Sequence, residues 1–263
     1  MPPTLRAAAA QIAIGPDLTA NTRTIVEVIN ACAQQGLDLC VLPETAVTGY
    51  SPAIGQARPA ADWPSVRAAL DEIAGAAARG NLGVVVGAEA WDAGAWVNRL
   101  YAFGRQGQTL AVYDKVHLTQ EDVAYYRPGE RHPVFSFDGV VCGLQICYDA
   151  RFPEGYRALL AQGAQVILQG FYGAGSGTWK APVLSAHLRS RAAENGCFVV
   201  SANVAGPLQI VVTQIVDPLG LVLASANHDR VETIVAQLDL ARIADSEIRA
   251  DWLGRFGARA NKR

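Results

Sequence analysis

Lysine is scarce in this sequence. Of 22 basic residues only Lys115, Lys180 and Lys262 are lysines, and the rest are arginines. Charged residues of both signs make up 17% of the chain, where about 25% is ordinary for a globular protein. So little charge beside 51% hydrophobic residues excludes intrinsic disorder. It predicts a large core and some surface that a partner subunit covers, hence a homo-oligomer, a dimer or larger. The net charge is −2 and no Lys/Arg cluster stands out, which excludes a nucleic-acid binder that tracks phosphates. The five cysteines, Cys32, Cys40, Cys142, Cys147 and Cys197, are odd in number and form no CxxC pair. Neither a disulfide framework nor a zinc site is expected. No apolar run approaches the roughly 18 residues that a membrane helix needs. The opening Met1-Pro2-Pro3 and an alanine run broken by Gln11 do not read as a signal peptide, so a reducing cytoplasm is the expected compartment. There is also no Ser/Gly linker, no repeat and no break in composition, so residues 1–263 read as one domain.

What is present is an alternation of apolar runs with helical patterns. Leu5 to Ile14, Leu37 to Leu42, Leu82 to Ala88, Val97 to Phe103, Thr109 to Tyr113, Val140 to Ile146, Val166 to Leu168 and Phe198 to Asn203 read as strands. So do Gln209 to Val216, Leu221 to Ala224 and Thr233 to Leu238. Helical spacing predicts a helix from a cap at Asn21 to Gln35, a second from Trp63 to Arg79 and a third starting near Phe152 with Pro153 in its first turn. Ala181 to Asn195 and a segment from about Ala241 complete the set. This mixture implies one α/β domain with mixed strand directions. Periodicity does not choose between one open sheet and two packed sheets between helices.

Three segments each carry an apolar strand into a reactive side chain. Leu39-Cys40-Val41-Leu42-Pro43 delivers Glu44, Leu110-Ala111-Val112-Tyr113-Asp114 delivers Lys115, and Val140 to Ile146 delivers Cys147. The plainer readings are a surface carboxylate, a solvated ammonium on a half-exposed edge, and a buried thiol like the other four. A free thiol is only a few per cent ionised at neutral pH, so a nucleophilic cysteine needs a base or a cation beside it. A carboxylate, an ammonium and a thiol at three strand ends would supply that set. His117 and His187 raise the rival of a Cys–His dyad, against the plainer reading of packed histidines.

Together the segments resemble the nitrilase superfamily of carbon–nitrogen hydrolases. The resemblance rests on Leu42-Pro43-Glu44 with Gly49-Tyr50, on Tyr113-Asp114-Lys115-Val116-His117-Leu118 and on the segment from Gly143 to Glu154. Arg191-Ala192-Ala193-Glu194-Asn195, Ala202-Asn203 and Val216-Asp217-Pro218-Leu219-Gly220 extend it in family order over nearly the whole chain. It implies an αββα sandwich, two mixed sheets between helix layers, and association through an interface that extends the sandwich. It also implies a catalytic triad of Glu44, Lys115 and Cys147, working through a thioester with no metal and no organic cofactor. Many members add a second glutamate after the lysine. Here Asp122 stands at that spacing and Glu121 one position early, so either could support the triad, or both could be solvated loop charges.

Cys147-Tyr148-Asp149 is similar to the amidase and carbamoylase branches rather than to true nitrilases, where Cys-Trp-Glu is usual. The implied substrate is a small linear amide, with an N-carbamoyl amino acid or a nitrile as alternatives. A catalytically silent scaffold is the alternative outside enzymes. Expected substrate contacts are Tyr50, Tyr148 and Arg151, together with Phe171, Tyr172 and Trp179 from a stretch with four glycines among eleven residues, Gln169 to Trp179. Arg151 could instead be tied to Glu154 or Asp149, and the aromatics could merely anchor a surface loop.

Overall fold

Strand β1 (Thr4–Gln11) shows why the molecule is layered. Its alanines alternate, with Ala7 and Ala9 turned to one core and Ala8 and Ala10 to another, so a strand of small side chains sits between two cores. The computed structural model describes residues 4–54 and 63–257. After β1 come α1 (Leu18–Gln34), β2 (Leu39–Val41), a single turn α2 (Ser51–Ile54) and α3 (Trp63–Gly80). The antiparallel strands β3 (Gly83–Asp92), β4 (Ala95–Phe103) and β5 (Thr109–Asp114) follow. The second half runs β6 (Val134–Phe137), β7 (Val140–Ile146), α4 (Pro153–Ala161), β8 (Val166–Gly170), α5 (Lys180–Asn195) and β9 (Phe198–Ala202). It ends with β10 (Gln214–Val216), β11 (Val222–Ser225), β12 (Glu232–Asp239) and α6 (Glu247–Trp252).

The strands form two six-stranded mixed sheets, β12-β1-β2-β3-β4-β5 and β11-β10-β9-β8-β7-β6. In the first sheet β1, β2 and β3 are parallel and the outer pairings antiparallel. The second has the same pattern with β7, β8 and β9 as its parallel centre. Leu39, Val41, Val85 and Leu100 from the first sheet meet Leu144, Ile146, Leu168 and Val200 from the second in the middle core. Ile25, Ile29, Val66 and Ile73 of α1 and α3 cover the outer face of the first sheet, and Leu159, Leu184 and Leu188 of α4 and α5 cover that of the second. This is the αββα sandwich, in one domain.

Local differences from the sequence reading have local causes. The cap of α1 is Asp17, whose Oδ1 accepts from the N–H groups of Thr19 and Ala20 at 2.9 and 3.1 Å. Asn21 lies inside that helix and instead bonds Gly15 through both its oxygen and its nitrogen. Most of the expected strand from Gln209 to Val216 is loop, with only Gln214–Val216 in the sheet. Side chains replace the ladder there: Asn203 Nδ2 donates to Val211 O at 2.9 Å and Gln209 Nε2 to Val204 O at 2.7 Å. Strand β6, only four residues long, escapes the pattern. The segment from Leu240 begins as a tight turn, and α6 starts only after Ser246, which caps it.

Candidate active site

Glu44 follows the short central strand β2, where the chain passes between the two sheets. That passage depends on two glycines. A Cβ on Gly87 of β3 would lie 2.3 Å from Thr45 N and 2.6 Å from Pro43 O, and one on Gly170 of β8 would lie 2.7 Å from Glu44 N. The next residue, Thr45, takes φ 49°, so the chain turns sharply as it leaves Glu44. Gly87→Ala is therefore expected to push the Pro43–Thr45 backbone aside. Turnover should fall by about 10²-fold because a shift of about 1 Å suffices for that. Stability, read by denaturant unfolding, should fall by about 1–3 kcal/mol from overpacking.

The Glu44 carboxylate is buried and fully engaged. Its Oε1 accepts from Lys115 Nζ at 2.8 Å and from Asn98 Nδ2 at 2.7 Å, and its Oε2 accepts from the backbone N–H of Tyr172 at 2.7 Å. Lys115 follows β5, fixed by its N–H to Asn98 O and its own carbonyl accepting from Gly129. Its ammonium, 1% exposed, lies 2.8 Å from Glu44 Oε1 and 2.8 Å from Asp122 Oδ2. Burial works against that charge, but Glu44, the Cys147 sulfur and Asp122 outweigh it and hold the lysine well above its ordinary pKa.

Of the two candidate supporting acids, the structure brings Asp122 to the lysine and leaves Glu121 exposed. The cause is a reciprocal cap. Thr119 N–H donates to Asp122 Oδ2 at 2.9 Å, and Asp122 N–H donates to Thr119 Oγ1 at 3.1 Å. Tyr50 OH donates to the other oxygen, Oδ1, at 2.7 Å. The signal was available in the sequence as Thr119-x-x-Asp122.

Cys147 follows β7 and opens the tight turn Cys147–Arg151 that leads into α4. Its φ is 42°, a left-handed conformation that is strained for a residue with a side chain, at a cost of about 1–3 kcal/mol. Of the five cysteines it alone is not fully buried. Burial and then Glu44 push its thiol well above the usual range, against the pull of Lys115. The resting group is therefore a thiol facing a carboxylate and an ammonium. Gln169 Nε2 steadies the carbonyl of Cys147 at 3.4 Å, and Gln169 is itself held by the hydroxyl of Tyr156.

Among the expected substrate contacts, Tyr50 and Tyr172 are brought to the Glu44–Lys115 pair, with ring centroids 5.0 Å apart. Tyr148 is half-buried beside the nucleophile, and the Arg151 guanidinium lies 5.9 Å above its ring. Phe171 goes elsewhere: it is 1% exposed and packs with Tyr156, Leu184 and Val199 in the core under the second sheet, leaving no face for a ligand. Trp179 is 67% exposed at the head of α5. The histidines do not form a dyad with Cys147. His117 Nδ1 lies 2.8 Å from Asp149 Oδ1 and its ring stacks on Phe152, while His187 sits on α5 beside Arg191 and Arg151. Sequence reasoning missed Asn98, which steadies Glu44, and its only trace is a polar residue in the apolar strand β4. Among the described residues, no group of three or more His, Cys, Asp or Glu side chains could hold a metal ion. No helix among them is long and apolar enough to cross a membrane.

The chain and its sandwich fold have known counterparts. The family model described as "Carbon-nitrogen hydrolase" matches residues 6–247. The chain is 34% identical over 220 residues to the 2-oxoglutaramate amidase of Bacillus subtilis (strain 168), covering 79% of this chain and 80% of that one. It is 31% identical over 243 residues to the (R)-stereoselective amidase of Pseudomonas sp, covering 90% and 85%. The fold matches that of an amidase mutant from Nesterenkonia sp. AN1 with a TM-score of 0.80 at 28% identity over 96% of each chain. That structure shows covalent addition of the acetamide moiety of fluoroacetamide at the active site cysteine. The chain belongs to the carbon–nitrogen hydrolase family of the nitrilase superfamily, and the relatives named here are amidases.

Proposed function

We propose that the protein is a cysteine-dependent amidase that hydrolyses the C–N bond of a small linear amide through a thioester on Cys147. The observation that carries this reading is the carboxylate of Glu44, held by three donors at 2.7–2.8 Å and facing both an ammonium and a thiol. A thiol kept protonated by burial is a poor standing nucleophile, so proton removal has to accompany attack. Glu44 takes the proton from Sγ as Sγ bonds to the amide carbon. The electron pair of the C=O bond moves to oxygen, where Lys115 and a backbone N–H beside the nucleophile meet the negative charge. The tetrahedral species collapses, the C–N bond breaks, and Glu44 returns the proton to the leaving nitrogen. Ammonia or an amine departs. Glu44 then takes a proton from water as its oxygen attacks the thioester, and the acid leaves as the thiol is regenerated. Asp122 and Asn98 hold Lys115 and Glu44 in place throughout.

One observation bears on the substrate. The Arg151 side chain makes no ion pair among the described residues and lies beside Tyr148, next to the nucleophile. An unpaired guanidinium there suits a carboxylate on the substrate. This favours amides that carry a second, acidic end, and keeps N-carbamoyl amino acids as the second reading. Ammonia release should be measured over simple primary amides, carboxylate-bearing amides and N-carbamoyl amino acids. Acid-quenched protein should be weighed at the same time. Ammonia release with an acyl-sized mass gain on the Cys147 peptide is the expected result. No ammonia and no adduct across that panel would leave the silent scaffold as the better account.

A further inference from the structure

Asp149 is a buried carboxylate that the reaction above does not use. It is 1% exposed, and its two oxygens collect four contacts from three pieces of chain. Oδ2 accepts from the backbone N–H of Ile146 at 3.1 Å and from Tyr113 OH at 2.9 Å. Oδ1 accepts from the backbone N–H of His117 at 2.9 Å and lies 2.8 Å from His117 Nδ1. Ile146 is the residue before the nucleophile. Tyr113 and His117 are the residues two before and two after Lys115. One side chain thus grips the chain on both sides of the lysine and joins it to the backbone entering Cys147. The His117 ring is held on its face by Phe152, 3.8 Å away and 5° from parallel. Phe152 is the residue that caps α4, so the grip extends to the helix after the nucleophile.

We propose that Asp149 is a positioning residue that sets the placement of the Lys115 ammonium against Cys147, with His117 as its adapter. The proposal rests on the amidase reading for its kinetic consequence but not for its geometry. Three features support it. The strained φ of 42° at Cys147 persists only where surroundings hold it, and the Ile146–Asp149 bond holds the residue before it while Gln169 holds its carbonyl. Asp149 is buried with both oxygens taken up by its own neighbours, so it offers no free face to a substrate. Its ties to Tyr113 and His117 are spaced symmetrically about Lys115, so loosening them moves the lysine rather than unfolding the strand.

The test is Asp149→Asn, which keeps the shape but replaces one acceptor oxygen with a donor NH2. The kcat is expected to fall by about 10²-fold while KM stays within about threefold, because misplacement affects the transition state more than binding. The second readout is alkylation of Cys147 by iodoacetamide as a function of pH. The charged groups facing that thiol are Glu44, Lys115 and Asp122, and only Lys115 lowers its pKa. A receding lysine should displace the alkylation profile to higher pH. His132, near Asp149 and His117, is held by burial below its ordinary pKa and should stay neutral over the upper part of that range. Where Asp149→Asn does not fold, His117→Phe keeps the stacking on Phe152 and removes only the Nδ1 contact. It should displace the alkylation profile in the same direction. The double variant should lose no more than Asp149→Asn alone, since the only contact that His117→Phe removes is made to Asp149. A folded Asp149→Asn with wild-type kcat and a wild-type alkylation profile overturns the proposal. Alkylation needs no amide turnover, so an inactive wild-type protein would overturn the amidase reading and leave this test intact.

Discussion

Cys147→Ala is expected to bring ammonia release from any accepted amide to background, a loss of about 10⁴ to 10⁶ in kcat by analogy with other nucleophile deletions. The fold should survive. Alanine meets the same backbone demand at φ 42° as cysteine does, and the only group lost is the sulfur of a half-buried residue. Stability by denaturant unfolding should change by no more than about 1 kcal/mol. The four other cysteines are buried, so alkylation of the folded protein should mark Cys147 alone, and this label should vanish in the variant. Full amide turnover by Cys147→Ala would dismiss the thioester route outright.

Lys115→Arg is the second large effect, although it conserves charge. The ammonium lies 2.8 Å from one oxygen of Glu44 and 2.8 Å from one oxygen of Asp122, with 1% of the side chain exposed. A planar guanidinium is larger and directs its donors in a fixed fork. It can pair with one of the two carboxylates in good geometry, but not hold both as the compact ammonium does. The expected result is a fall of about 10²–10³-fold in kcat, the typical cost of one oxyanion donor. Overpacking should add a loss of about 1–3 kcal/mol in stability. Stopped assays that separate acylation from deacylation should find both steps slowed, since in the proposed reaction the lysine meets the oxyanion of each. An arginine variant with ordinary turnover would remove Lys115 from the chemistry.

Glu44, Lys115 and Cys147 could be singled out because each follows an apolar strand, and a strand end is where a side chain leaves the sheet. The layer architecture was not settled by periodicity. Residues such as Ala7 to Ala10 are apolar on both faces, which fits a strand in one open sheet between helices as well as a strand between two cores. It took the resemblance of several separated motifs to choose the sandwich. Asp122 could have been picked over Glu121 from local chemistry alone, since Thr119 three residues earlier makes a reciprocal cap with it. Asn98 and Asp149 were out of reach for a different reason. Their partners lie 54 and 32 residues away in sequence, at Glu44 and His117, and no local pattern encodes such a meeting. The glycines that pass Glu44 between the sheets were hidden too. Gly87 and Gly170 adopt ordinary backbone angles, so nothing but the crowding seen in three dimensions marks them.

The pairing of β1 has a consequence for how the protein comes into being on the ribosome. Eight residues of β1, from Thr4 to Gln11, are matched to Asp239 back to Glu232 in β12, whereas β2 matches only three of them. Strand β1 is therefore secured mainly by β12, a strand far along the chain from it. Until residue 239 has emerged, β1 keeps an open edge on the side away from β2. A nascent chain stalled before β12 would thus present that bare edge to chaperones or to its neighbours.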